Sequence, residues 1–262
     1  MKKIFTSSTI KIIALLTMTF NHIGYFLQSS NSTTNLGLVF RYIGRLCLPL
    51  IIFLMVMGAI YTSNLKKYLI RIAIFTSIIA IGIMIIEYVF SIVVSNNIFV
   101  TLLLILSTIY FFNQKGTKKL LVLLPIIYMI ICLIYSLSLY YGFKFIYIPF
   151  GLCPDYGLYG YMMGILMYVF AKIAMKSSHN RSLKINISCV LALLLVQIAN
   201  FILGYFQIFI EVYFEIQWFA IFSSVFILLY NHHVGIKNKF FQYACYLYYP
   251  LHLGIICLFF VI

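Results

Sequence analysis

Acidic side chains are nearly missing from this sequence: 4 Asp+Glu stand against 18 Lys+Arg, and charged residues of both signs make up 8% of 262 positions. A soluble domain carries about 25% charged residues, so a water-covered surface is excluded. The 65% hydrophobic content and the mean hydropathy of +1.10 agree with that exclusion. A net charge of +14 would suit a nucleic-acid binder. The Lys and Arg residues, however, fall in short clusters between apolar runs, which argues for membrane lipid as the surrounding partner and against nucleic acid. Metal-ligand spacing is missing too. The cysteines (Cys47, Cys132, Cys153, Cys189, Cys245, Cys257) form no Cys-x-x-Cys or Cys/His pattern, and all but Cys153 lie inside apolar runs. Neither a metal site nor a disulfide framework is expected. No linker, low-complexity tract or internal repeat interrupts the chain, so residues 1–262 read as one domain.

What is present is a series of apolar runs, bounded by polar clusters, each of roughly the 20 residues that a membrane-spanning helix needs. Nine can be drawn, at 10–28, 40–61, 68–91, 97–113, 119–141, 156–174, 185–208, 213–230 and 241–261. They are too long and too evenly apolar for barrel strands, which alternate with period two. The expected class is therefore an all-α integral membrane protein, a polytopic bundle of about nine transmembrane helices with a range of 8–10. Met1-Lys2-Lys3 before an apolar run imitates a secretory signal, but no small-residue cleavage site follows, and the run is expected to stay as the first helix.

Orientation follows from the basic residues. With a cytoplasmic N-terminus and nine crossings, fifteen of the 18 Lys and Arg residues fall on the cytoplasmic side, leaving Arg41, Arg45 and Lys144 for the other. The acids Glu87, Asp155, Glu211 and Glu215 then all lie toward the outer face. Gly160 and Gly164 form a small-xxx-small pair in the sixth run, the mark of close helix packing.

An ionisable residue at bilayer depth is costly and is by default a hypothesis about function. His22 lies about 12 residues, or roughly 18 Å, into the first run, too deep to snorkel. Lys11 stands eleven positions earlier, which returns to nearly the same helix face roughly 16 Å below. Arg41 and Arg45 are an i, i+4 pair in the second run, and Glu87 is the acid best placed to pair with Arg45. His252 follows Pro250, whose missing N–H frees a carbonyl and favours a kink toward a cavity. Plainer readings stand beside these: an interhelical hydrogen bond for each histidine, snorkelling for Arg41, a cytoplasmic anchor for Lys11 and a turn residue for Asp155. His179, His232 and His233 read as solvated loop residues, and Tyr246, Tyr248 and Tyr249 as packing.

The run from Lys11 through Asn21-His22-Ile23-Gly24 resembles the opening of the TraX family, named for the enzyme that acetylates the N-terminus of conjugative F-pilin. Arg41-Tyr-Ile-Gly-Arg45 through Pro49 to Gly58 resembles its second block, Lys67-Tyr-Leu-Ile-Arg71 the start of its third helix, and Tyr248-Tyr-Pro-Leu-His252 its C-terminal signature. The likeness runs from end to end and is densest in the first 75 and last 20 residues. It is also similar to the wider acyltransferase-3 class, in which a basic residue, ten intervening positions and a histidine open the first helix. Lys11 and His22 have that spacing. TraX-like sequences usually read Asp-His-Ile-Gly, and here Asn21 replaces the acid: it can orient or hydrogen-bond but cannot stabilise an imidazolium by charge.

The resemblance implies a multi-pass acetyltransferase of a bacterial cell membrane, using cytoplasmic acetyl-CoA as donor and no metal. His22, Asn21, Arg45 and His252 are its expected catalytic set, with Arg45 at the oxyanion. Lys11, Lys66, Lys67 and Arg71 are expected to hold donor phosphates, and Arg41, Glu87 and Asp155 the acceptor. The expected acceptor is the N-terminal amine of a pilin-like or small secreted peptide. A surface or envelope glycan hydroxyl is the alternative within the enzyme class, and a transporter or immunity-type membrane protein the alternative outside it.

Overall fold

The computed structural model describes residues 4–29, 35–90, 96–143, 147–177, 179–205 and 214–261, without the side chains of 90, 214–215 and 257–261. Lys144 and Glu211 lie outside the described residues. In hydrocarbon, a run of this length can pair every backbone N–H and C=O within itself only as a helix. The described residues accordingly form α1 (Ser7–Ser29), α2 (Asn35–Gly44), α3 (Cys47–Tyr61), α4 (Leu65–Phe90), α5 (Ile98–Phe112), α6 (Leu123–Tyr140), α7 (Gly157–Ala174), α8 (Arg181–Tyr205), α9 (Phe214–Gln217), α10 (Ser223–Leu228) and α11 (Lys239–Val261). Tight 3-10 turns at Gly116–Val122 and Trp218–Phe222 lead into α6 and α10. Among the described residues, six helical stretches are long and apolar enough to cross a membrane, namely Ser7–Gln28, Asn35–Tyr61, Leu65–Val89, Gly116–Tyr140, Gly157–Ala174 and Arg181–Tyr205, so the chain is a multi-pass membrane protein. The fourth and eighth expected spans are apolar but shorter, at Ile98–Phe112 and Trp218–Leu228.

The second run is not the continuous helix expected from its sequence. It breaks at Arg45 and Leu46, whose amides turn back to Tyr42 O (3.2 Å) and Ile43 O (3.3 Å) in i→i−3 fashion. The cause is Pro49, which has no N–H to offer the Arg45 carbonyl and whose ring crowds that carbonyl. Pro125 sits harmlessly in the first turn of α6, and α11 continues through Pro250.

The chain forms two compact units, Met1–Leu54 with Phe170–Ile262, and Met55–Val169. In the first unit α1 and α2 pack so closely that a Cβ on Gly24 would lie 2.6 Å from Gly37 O, and one on Gly44 would overlap Asn21. Helices α1 and α11 run parallel and in register: Lys11 Nζ lies 5.9 Å from the Phe241 ring, Thr19 bonds Tyr248, and His22 meets His252. The opening of α1 is held by the segment before α11, with Ser7 N on His233 O (2.9 Å) and Ser8 N on Val234 O (3.1 Å), so these orphan N–H groups are satisfied. His232 was expected to be solvated. Its Nε2 instead lies 2.8 Å from Asn186 Oδ1, an amide that also donates to Tyr230 O at 2.9 Å.

In the second unit α5 and α7 are parallel neighbours. The predicted close packing of Gly160 and Gly164 is observed: added Cβ atoms would meet Thr101 Cγ2 at 3.2 Å and Ile105 Cδ1 at 2.6 Å. Asn97 caps α5 by accepting from Phe99 N.

Candidate active site in the first unit

Thr19 and His22 lie three positions apart on α1 and so share a face, the one turned to α11. Across from them, α11 presents Tyr248 and His252 four positions apart. Thr19 Oγ1 and Tyr248 Oη are 2.6 Å apart, and one turn further along the His22 and His252 rings face each other with centroids at 5.1 Å and planes at 58°. His252 is 5% exposed. Its ring lies parallel to that of Tyr248 (5.2 Å, 8°) and edge-on to Tyr249 (5.8 Å, 65°). Its Nδ1 is 2.9 Å from the Tyr248 carbonyl.

Arg45 is placed beside this pair by the α2–α3 break. It is 6% exposed, lies within electrostatic range of His22, and donates from Nη1 to Gln217 Oε1 at 3.3 Å. Gln217 is fully buried and its own carbonyl accepts from Gln197 Nε2 at 3.2 Å. The partner expected for Arg45, Glu87, belongs to the second unit, where its Oε1 accepts from Tyr147 Oη at 3.0 Å. Asn21 packs on Gly44, which fixes it next to the break. Among the described residues, Asn21 Oδ1 and His252 Nε2 are buried without a hydrogen-bond partner.

Four expected catalytic residues, Asn21, His22, Arg45 and His252, therefore fall in one unit around one polar centre. Lys11 lies on the same α1 face at the other end of the stripe, against Phe241. Arg41 does not snorkel as its position near the end of a span suggested: it is 8% exposed and donates to Gln28 Oε1 at 2.6 Å. The remaining candidates lie in the second unit. Lys66, Lys67 and Arg71 are exposed on the first turns of α4, with Arg71 5.6 Å from the Tyr68 ring. Asp155 Oδ1 accepts from Tyr156 N at 3.0 Å, the turn geometry weighed for it from sequence.

Gln197, Gln217 and Thr19 were not singled out by sequence reasoning, and Tyr248 was expected only to pack. The available signal was a primary amide inside an apolar run, because an amide stranded in hydrocarbon is nearly as telling as a charge. The arrangement offers two imidazoles, a guanidinium and an amide, with Arg45 and His252 buried, a set able to move a proton and stabilise a developing oxyanion.

A sequence model of the family described as TraX protein matches residues 6–260. No curated protein and no solved structure matches the chain.

Proposed function

The chain belongs to the TraX family, and we propose that it is an acetyltransferase of a bacterial cell membrane, moving acetyl from cytoplasmic acetyl-CoA to the terminal amine of a pilin-like or small secreted peptide at the outer face. The observation that carries this reading is the His22–His252 pair, 5.1 Å apart between parallel helices whose shared face carries Lys11 at its far end. The parallel pairing of first and last helices supports an odd number of crossings, nine in our reading, with the N-terminus inside.

Lys11 and His22 stand eleven positions apart on α1, about 16 Å, which a pantetheine arm can reach. Lys11 then meets the donor phosphates from within the first unit. Lys66, Lys67 and Arg71 stand as further phosphate contacts on charge alone. An amino terminus has a pKa of about 7.7 to 8, so a useful fraction is neutral near neutral pH. The neutral amine attacks the thioester carbonyl, an imidazole of the pair takes the proton from the attacking nitrogen, and Arg45 stabilises the oxyanion. The C–S bond breaks and the proton passes to the departing thiolate. Arg41, Glu87 and Asp155 are the acceptor-side candidates.

Mass spectrometry of the acceptor from cells carrying His22→Ala tests this. The variant should lose about 10² to 10⁴ of the acetylation rate, and undiminished acetylation by a correctly inserted protein would remove His22 from the chemistry. Label from radioactive acetyl-CoA found only in glycan would reassign the acceptor to a sugar hydroxyl. The broken α2–α3 span favours a second reading, a transporter, since interrupted helices are common at transport sites. Failure of purified protein to bind acetyl-CoA, together with substrate flux in proteoliposomes, would select it.

A further inference from the structure

The histidine pair comes with a proton count that can be completed on the α11 side. His252 Nδ1 is 2.9 Å from the Tyr248 carbonyl. A carbonyl oxygen only accepts, so in the neutral ring the proton stands on Nδ1 and the lone pair on Nε2. Nε2 is buried and has no hydrogen-bond partner among the described residues. A buried acceptor in that state is unfavourable unless a proton donor arrives there.

The same residue that fixes the tautomer is itself fixed. Thr19 has one hydroxyl proton, and its Oγ1 lies 3.1 Å from the Leu15 carbonyl, to which it must be the donor. The 2.6 Å contact between Thr19 Oγ1 and Tyr248 Oη therefore has Tyr248 donating. The chain of bonds runs from the Tyr248 hydroxyl to Thr19 to the α1 backbone, one turn before His22. Tyr248 touches His252 twice more, through its carbonyl and through its parallel ring at 5.2 Å.

We propose that Tyr248 and Thr19 are positioning residues that clamp α11 to α1 and hold His252 as its Nδ1–H tautomer, leaving Nε2 as its one proton-accepting position in the acyl-transfer site. The catalytic consequence rests on the acetyltransferase reading; the tautomer does not. In the reaction, Nε2 takes the proton released as the acceptor nitrogen bonds the acetyl carbon. It returns that proton to the CoA sulfur as the C–S bond breaks, and Nδ1–H stays on the Tyr248 carbonyl throughout. A ring free to flip would present N–H where a lone pair is needed.

The test uses full-length protein in lipid nanodiscs with ¹⁵N-labelled histidine, read by NMR without substrate and by acetyl-transfer kinetics with it, the His252 signals being assigned by their loss in His252→Gln. We expect His252 at neutral pH to be a single Nδ1–H tautomer. Tyr248→Phe and Thr19→Val should introduce an Nε2–H population and lower kcat about 10- to 100-fold with the KM for acetyl-CoA unchanged. Thr19→Ser, which keeps the hydroxyl, should restore both readouts, and that rescue separates positioning from general damage to the bundle. An Nε2–H tautomer in the unsubstituted protein overturns the proposal, as does a Tyr248→Phe protein unchanged in both spectrum and kcat. The expected tautomers in a protein that transfers no acetyl group would support the clamp and overturn the acetyltransferase reading, so the two fail separately.

Discussion

Two asparagines, one in each unit, show two uses of a buried amide. Asn97 is fully buried in the second unit: its Oδ1 accepts from Phe99 N at 3.0 Å and its Nδ2 donates to Gly151 O at 3.0 Å. Its backbone N–H reaches Cys153 O at 2.9 Å and its carbonyl accepts from Asp155 N at 3.3 Å. Asn21 in the first unit packs on Gly44 with Oδ1 buried and no partner among the described residues. A satisfied amide in a low-dielectric interior fixes one local geometry, whereas a buried acceptor left open costs stability and is kept where something must dock or pass. The neighbours follow the same division. Thr101, Thr108 and Asn113 of the second unit are bonded to Asp155, Tyr161 and Tyr168, while in the first unit His252 Nε2 has no partner among the described residues.

Breaking each asparagine tests that contrast. Asn97→Ala strands the Gly151 carbonyl and the Phe99 amide in a buried position, at about 1 to 3 kcal/mol for each stranded group. The thermal midpoint in detergent should fall by several degrees, with the kcat of the folded fraction unchanged. Asn21→Ala removes a group that is already unsatisfied, so stability should hold or rise slightly while acetyl transfer falls. The reverse pattern, an active-site loss from Asn97→Ala or an unfolding from Asn21→Ala, would erase the distinction between the units.

A smaller effect, confined to the first unit, is expected at Gly24. A Cβ there would stand 2.6 Å from Gly37 O, a backbone atom that cannot rotate away. Gly24→Ala should therefore part α1 from α2 at about 1 to 3 kcal/mol. Because Arg41 Cγ lies 2.9 Å from the same point, the displacement is passed toward the α2–α3 break. A combined loss of stability and transfer is the expected result. A fully stable Gly24→Ala protein with normal kcat would show that the helices re-pack without moving Arg45.

The helical class, the run boundaries and the Gly160/Gly164 contact were legible in the sequence, because hydrocarbon imposes one solution on an apolar run and a missing side chain marks close packing. The break at Arg45 was not read. Pro49 announced it, but a proline in the first turn of a helix and one inside a continuous helix look alike until the residue four positions back is known to be left out of the ladder. His22, Arg45 and His252 stood out because charge is rare in such runs, and Asn21 through the resemblance alone; the structure brings the four together in one unit. Gln217 and Thr19 were passed over because a neutral side chain becomes informative only when its partner is known, and those partners stand 172 and 229 positions away.

The weakest expected effect lies at the exposed rim of the second unit, where Tyr147 Oη donates to Glu87 Oε1 at 3.0 Å. The carboxylate, chiefly through this hydrogen bond, holds the Tyr147 phenol above its usual range. In the unfolded chain this phenol ionises near pH ~10, before the folded one does, so the contact favours folding below that pH and its contribution is lost as pH rises through the folded value. Glu87→Gln should move the Tyr147 phenolate absorbance, isolated as the difference from Tyr147→Phe, back toward lower pH. If Glu87 also receives the acceptor amine, its partial exposure limits the gain: the acceptor KM should rise by no more than about fivefold, with kcat unchanged. High salt should produce part of the same small rise, since a partly exposed charge is screened over a Debye length of ~8 to 10 Å. A large fall in kcat in Glu87→Gln would move the chemistry into the second unit and undo the division drawn between Asn97 and Asn21. A phenolate titration unmoved by Glu87→Gln would leave the Tyr147 hydroxyl without the partner assigned to it.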